Sequence, residues 1–127
     1  MTKNNIERKS YEALAPAVGP YSHAVKNGNT LYLSGYTAFG TDAQGKDMAA
    51  QANAIFDQIK AVATAEGTDI SSIVKVTIFI TDFSQFQEVR KVLSEQYDGN
   101  FPASSTVEVP SLFSPEVNIE IEAILGL

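Results

Sequence analysis

The centre of the chain is a stretch rich in β-branched residues, IVKVTIFI at positions 73–80. Successive side chains of a strand point to opposite faces of the sheet, so this stretch predicts a strand with two different faces. The apolar face consists of Val74, Val76, Ile78 and Ile80, and the opposite face of Lys75, Thr77 and Phe79. A phenylalanine on the second face indicates that this face is covered too, for example by another subunit.

Helical periodicity lies on both sides of this strand. An apolar stripe at three- and four-residue steps predicts a helix over 48–63, with Asp47 as its N-cap and Gly67 just past its end. A second stripe predicts a helix after the strand, capped by Asp82 or Ser84. Its apolar side is expected to carry Phe86, Val89, Val92, Leu93 and Tyr97.

Shorter strands are predicted around this helix–strand–helix centre. The tripeptide NGN at 27–29 is typical of a hairpin turn between two strands. The expected strands lie within 1–15, as an edge strand, and at 22–26, 30–35, 105–109 and 117–125. Two helices on one face of a mixed sheet predict a single two-layer α+β domain over residues 1–127. The other sheet face is left to be buried elsewhere, which favours an oligomer.

Composition disfavours several functional classes. The 127-residue chain has 15 acidic and 9 basic residues and a formal charge of -6, and an acidic surface repels nucleic-acid phosphates. The absence of cysteine excludes disulfides, thiolate zinc sites and a cysteine nucleophile, and the single histidine, His23, excludes a multi-histidine metal cage. We therefore expect no cofactor, no metal and no nucleic-acid partner. No stretch approaches the ~20 apolar residues of a membrane span, and the N-terminus lacks an apolar signal core, so a cytoplasmic protein without a membrane partner is expected.

Two carboxylates on the last predicted strand are the clearest chemical signal in the residue spacing. Glu120 and Glu122 share one strand face, where two positions span roughly 6.5–7 Å. They could share acid–base work, or they could belong to a polar face that meets solvent. Tyr21 and Ser34 are candidate hydrogen-bond donors. His23 is more typical of a strand histidine whose hydrogen bonds are satisfied.

Four short motifs occur in a fixed order along the chain. They are GPYS at 19–22, LSG at 33–35, FPA at 101–103 and NIEIE at 118–122. Together they resemble the Rid family (YjgF/YER057c/UK114), reactive-intermediate deaminases that hydrolyse imines and enamines derived from amino acids. The resemblance covers residues 11–125. It implies a chorismate-mutase-like α+β fold of the bacillus type and a homotrimer with a cleft at each subunit boundary, and a small carboxylate, imine or keto acid as ligand.

The resemblance also implies roles for individual residues. Tyr21 and Ser34 match family residues that line the cleft and contact the ligand. Gly35 matches the glycine whose backbone approaches the ligand carboxylate. Glu120 matches the carboxylate at the water-bearing end of the pocket, which makes it the candidate catalytic residue.

Four positions differ from the family pattern. Ser104 stands where deaminating members have the arginine that grips the carboxylate of a 2-imino acid. Thr106 stands where many members have cysteine, and Tyr36 stands where glutamine is common. Arg90 stands where many members have an asparagine that faces the cleft. Ser104, Thr106 and Arg90 are therefore grouped with the expected substrate-binding residues.

The missing arginine changes the expected activity. A guanidinium holds a carboxylate through two parallel bonds that the hydroxyl of Ser104 cannot reproduce. One hydrogen bond to a charged group is worth roughly 1.5–3 kcal/mol, so we expect a small-molecule-binding member with weak or absent activity on simple 2-imino acids. The alternative is a 2-iminobutanoate/2-iminopropanoate deaminase in which Arg90 is a relocated carboxylate anchor and not a solvated helix residue. Ribonuclease or translation-inhibitor activity, attached to some relatives, is disfavoured by the acidic charge.

Overall fold

Six strands form one mixed sheet in the computed structural model, which describes residues 5–127. In chain order the elements are β1 (Ile6–Lys9), β2 (Ala24–Asn27), β3 (Thr30–Leu33), α1 (Met48–Ala65), β4 (Ile73–Ile80), α2 (Phe86–Tyr97), β5 (Ala103–Glu108) and β6 (Ile119–Gly126). The strand order across the sheet is β1-β2-β3-β6-β4-β5. The predicted α+β fold with a mixed sheet is confirmed. The predicted edge strand is β1, and residues 1–4 of its expected range lie outside the described residues.

Strand directions follow from the connections between strands. A two-residue turn joins β2 to β3 in antiparallel register, with Asn27 opposite Thr30 and Gly28 at a φ of 61°, as the hairpin signal predicts. The pairing of β4 with β5 is parallel, and α2 supplies the crossover that a parallel pair requires. The last strand, β6, inserts between β3 and β4 and is antiparallel to both.

Both helices begin near the expected acidic caps. The carboxylate of Asp47 accepts a hydrogen bond of 2.8 Å from the backbone N–H of Ala50 at the start of α1, and Gly67 follows the helix with a φ of 79°. The carboxylate of Asp82 accepts a bond of 2.9 Å from the N–H of Ser84. That bond caps a 3₁₀ turn, Phe83–Gln85, which leads into α2, so Asp82 does not cap α2 itself.

The core lies between the helices and one face of the sheet. It contains the predicted apolar sides of both helices, with Leu93 only partly buried against it, and four residues of β4, namely Ile73, Val76, Ile78 and Ile80. The prediction that Val74 lies on the buried apolar face of β4 was wrong, since this residue is 53% exposed. The pairing of β4 with β6 shifts between Ile73 and Lys75, and this irregularity turns Ile73 towards the core in place of Val74.

The opposite face of the sheet is incompletely covered within one chain. Phe79 and Glu120 are paired on this face and only half-buried, and Tyr32 and Val107 are exposed there. This open face is defined here by those side chains together with Glu122 on β6. Among residues 5–127, no helix is long and apolar enough to cross a membrane.

Candidate functional site

A cavity of about 640 Å³ opens beside the end of β3 and the start of β6. Its size falls within the ~300–1,000 Å³ that is typical of small-molecule sites. Its walls come from the segment before β2, the segment after β3, α1, the loop before β6 and β6 itself. The lining residues with polar side chains are Tyr21, His23, Ser34, Tyr36, Thr37, Gln58 and Glu120.

Glu120 places a carboxylate in this cavity directly against Gly35. A Cβ atom built on Gly35 would overlap Oε2 of Glu120 and lie 2.8 Å from its Cδ, so only glycine leaves room for the carboxylate. Burial raises the pKa of Glu120 above its ordinary value, and the nearby charge of Glu122 raises it further. A carboxylate with a raised pKa is a stronger base than an ordinary one, which suits it to accept and return a proton.

The backbone beside the carboxylate is fixed by hydrogen bonds to β6. Tyr36 and Ile121 exchange two backbone bonds, of 2.9 and 3.0 Å, which anchor the segment that follows β3. Ser34 donates its hydroxyl proton to the carbonyl of Ser22 over 2.6 Å. The hydroxyl oxygen of Ser34 therefore remains an acceptor for a ligand N–H, while its own proton is already engaged.

His23 has a structural role, as the sequence suggested. Its Nδ1 accepts the N–H of Tyr11 at 3.0 Å, and its Nε2 lies 2.8 Å from the carbonyl of Ala15, so the ring is neutral with its proton on Nε2. The backbone carbonyl of His23 accepts the hydroxyl of Tyr36 at 2.8 Å. Burial raises the pKa of Tyr36 well above its ordinary value. These bonds hold the segment before β2 in place as a cavity wall.

Two phenylalanines in the cavity wall were not anticipated from the sequence. Phe39 follows β3 and Phe113 precedes β6, and their rings pack edge to face with centroids 5.3 Å apart. Tyr21 and Val18 also line this cavity, and both are exposed. The signal that could have identified this wall is the presence of large aromatic residues in loops otherwise rich in Gly, Ser, Thr and Pro.

Ser104 and Thr106 lie away from this cavity. They are paired with Val76 and Ile78 of β4, whose side chains are buried beneath the helices. Paired residues of neighbouring strands share a sheet face, so both hydroxyls point to the helix side, whereas Glu120 lies on the open face. The two groups of predicted site residues cannot meet within one chain.

Arg90 also lies outside the cavity of its own chain. It is exposed on α2, with its guanidinium carbon 5.3 Å from the ring centroid of Phe86 and its Nη1 donating to Gln87 over 3.4 Å. It forms no salt bridge among residues 5–127. The guanidinium is therefore available to a ligand or to a neighbouring chain.

Comparison with known proteins relates this geometry to a family. The family model described as Endoribonuclease L-PSP matches residues 12–126. A 2-iminobutanoate/2-iminopropanoate deaminase of Dermatophagoides farinae is 41% identical over 118 residues, which cover 88% of this chain and 90% of that protein. The crystal structure of RidA from the Antarctic bacterium Psychrobacter sp. is 33% identical with a TM-score of 0.81, covering 98% of this chain and 100% of the other. The crystal structure of a Mycobacterium tuberculosis member of the YjgF/YER057c/UK114 family is 31% identical to this chain with a TM-score of 0.76. The match covers 84% of this chain and 86% of the other.

The chain belongs to the Rid family. The resemblance drawn from the four motifs is thereby confirmed, and so is the fold that it implied. Of the Rid site residues expected from the motifs, Tyr21, Ser34, Gly35 and Glu120 line one cavity in this chain.

The remaining surface of this Rid-family chain offers less chemistry. A depression of about 420 Å³ lies over α1 and contains none of the expected site residues. Within the described range, no group of three or more His, Cys, Asp or Glu side chains is placed to hold a metal ion. The cavity that contains Glu120 is therefore the candidate functional site.

Proposed function

We propose that this chain binds small imine- or keto-acid-like ligands in the Glu120 cavity and hydrolyses imines other than the simplest 2-imino acids. The observation that supports this proposal is the carboxylate of Glu120, held against Gly35 with a raised pKa in a largely apolar cavity. The deaminase name of the Dermatophagoides farinae relative supports the same chemistry.

The proposed reaction uses Glu120 for proton transfer. Water attacks the imine carbon while Glu120 accepts one proton from it, and the carbon–nitrogen double bond becomes a single bond in a carbinolamine. Glu120 returns that proton to the nitrogen, which becomes an amino group. Glu120 then accepts the hydroxyl proton of the carbinolamine and transfers it to the same nitrogen, so that the carbon–nitrogen bond breaks and ammonia and a carbonyl product leave. Ser34 can accept a hydrogen bond from the imine N–H, since its own proton is donated to Ser22.

Ser104 leads to a prediction about substrate range. We expect slow hydrolysis of 2-aminoacrylate and 2-iminobutanoate, generated from serine and threonine by a dehydratase, because no arginine at position 104 grips their carboxylate. Ammonia release, compared with that of a relative that carries the arginine, measures this. Ser104→Arg should raise the rate if Tyr36 and Thr106 leave the rest of the pocket competent. A wild-type rate equal to that of the arginine-bearing relative would overturn the expectation.

Arg90 supports a second candidate function, the hydrolysis of simple 2-imino acids with a relocated carboxylate anchor. The specific observation is its exposed guanidinium without an ion pair among residues 5–127. If Arg90 serves as this anchor, Arg90→Ala should weaken 2-oxobutanoate binding by roughly 1.5–3 kcal/mol, measured by calorimetry. Arg90→Lys should restore only part of the affinity, because an ammonium group cannot form the two parallel bonds. Unchanged 2-oxobutanoate binding in Arg90→Ala would exclude Arg90 as the anchor, and only the first candidate function, the hydrolysis of other imines, would remain.

We propose that the chain works as a homotrimer. The open sheet face is partly apolar, and Ser104 and Thr106 can approach Glu120 only from another copy of the chain. Light scattering after size exclusion should therefore give about three times the chain mass of 13.7 kDa. A stable species of single-chain mass at micromolar concentration would contradict the trimer and the shared clefts.

A further inference from the structure

We infer that Phe39 and Phe113 select ligands with a bulky apolar side chain, branched or aromatic. This inference rests on the proposed function, because it names the substrate class of the same cavity. The two rings form one wall of the cavity that contains Glu120. We call this pair the aromatic wall.

The aromatic wall is built from two separate loops and stays exposed. Phe39 is 47% exposed and Phe113 is 65% exposed, although their centroids are only 5.3 Å apart with planes inclined at 65°. Neither ring belongs to the hydrophobic core. The pair therefore contributes little burial to folding, and its exposed ring surface is available to an apolar group in the cavity.

The rest of the cavity divides ligand recognition between polar and apolar groups. The polar atoms near the reaction site come from Glu120 and Ser34, on or beside the sheet, whereas the rings come from the loops. A ligand with its C=N group at the carboxylate can direct its side chain to the aromatic wall. The volume of about 640 Å³ is far more than a three-carbon imino acid requires.

The aromatic wall also offsets the change at position 104. Loss of a charged carboxylate clamp costs about 10- to 150-fold in affinity, and burial of one large apolar side chain contributes an effect of similar size. Affinity in this chain can therefore come from the ligand's side chain and less from its carboxylate. A short imino acid lacks the carboxylate clamp and also gains no contact with the aromatic wall. Serine at position 104 and the aromatic wall therefore both favour ligands with a bulky apolar side chain.

Binding of stable keto-acid analogues tests this inference without requiring turnover. We expect phenylpyruvate and 4-methyl-2-oxopentanoate to bind the wild-type protein at least about tenfold more tightly than 2-oxobutanoate, measured by calorimetry. The double variant Phe39→Ala/Phe113→Ala should reduce that preference to about threefold or less while affecting 2-oxobutanoate little. Val74→Ala, which shortens an exposed apolar side chain outside the cavity, is the control and should retain the wild-type preference.

Each outcome separates this inference from the proposed function. An unchanged ligand preference in the double variant, or equal affinities in the wild type, would overturn the role of the aromatic wall. So would a loss of oligomer mass in the double variant by light scattering, since the rings would then be a contact between copies. Tight, ring-dependent binding without imine hydrolysis would support the wall and overturn the proposed function. Imine hydrolysis at a rate that does not depend on the size of the substrate side chain would support the proposed function and overturn the role of the aromatic wall.

Discussion

Glu120→Gln should lower the rate of imine hydrolysis by about 100- to 10,000-fold, the usual contribution of a positioned acid–base group. Glutamine has nearly the same shape as glutamate but cannot accept a proton from water. Keto-acid binding should therefore stay largely intact while turnover is lost. Ammonia release measures the turnover, and calorimetry with a keto acid measures the binding.

Glu122→Gln is the matched control for this substitution. Glu122 lies on the same strand face two positions away but is exposed. The turnover of the Glu122→Gln variant should therefore remain within a few-fold of the wild type. Its charge contributes to the raised pKa of Glu120, so its removal should lower the pH at which the activity half-disappears. Activity should fall as the pH decreases through the raised pKa of Glu120. Equal losses in both variants would show that Glu120 has no special role.

The same raised pKa has a consequence for stability. A carboxyl whose pKa is higher in the folded than in the unfolded state favours folding when protonated, and this contribution is lost as the pH rises from the ordinary value through the raised one. Ionised Glu120 thus destabilises the fold at neutral pH. The Glu120→Gln variant should have a higher Tm than the wild type at pH 7, and the difference should vanish at a pH well below the ordinary carboxyl pKa.

Gly35→Ala should reduce turnover by about 100-fold with little loss of stability. The added Cβ would overlap Oε2 of Glu120, so the carboxylate must move, and a displacement of about 1 Å can cost about that much in rate. The displaced atoms are the free end of a flexible side chain, so the fold can accommodate the change. Turnover and thermal unfolding of the same variant are the measurements.

Gly126→Ala is the corresponding control. Gly126 ends the strand that carries Glu120, and a Cβ there would lie 3.7 Å from Cγ1 of Val74, an ordinary contact. Its turnover should match that of the wild type. If Gly35→Ala keeps full activity, the contact between Gly35 and the carboxylate does not position Glu120 for catalysis.

Most of the fold could be predicted because its elements have strong local signals. The apolar stripes of α1 and α2, the cap at Asp47 and the turn at Gly28 each depend on residues close together in the sequence. The orientation of Val74 could not be predicted in this way. It depends on a shift in the pairing of β4 with β6, a strand that lies more than forty residues after Val74. The alternation of residues within β4 does not indicate this shift.

The site was predictable only in part, for a related reason. Motifs identified Tyr21, Ser34, Gly35 and Glu120, and the sheet brings the last three close together through the bridge between Tyr36 and Ile121. The aromatic wall was not predicted, because both rings lie in irregular loops, where no periodicity indicates the direction of a side chain.

The placement of Ser104 and Thr106 on the far side of the sheet from Glu120 affects how such a protein can diverge. Within one chain the two residues lie on the opposite sheet face from Glu120, so substitutions at these positions do not change how its own chain holds the carboxylate against Gly35. If Ser104 sets the ligand preference from a neighbouring copy, as we propose, evolution can exchange one ligand specificity for another at β5 while the position of Glu120 on β6 is retained.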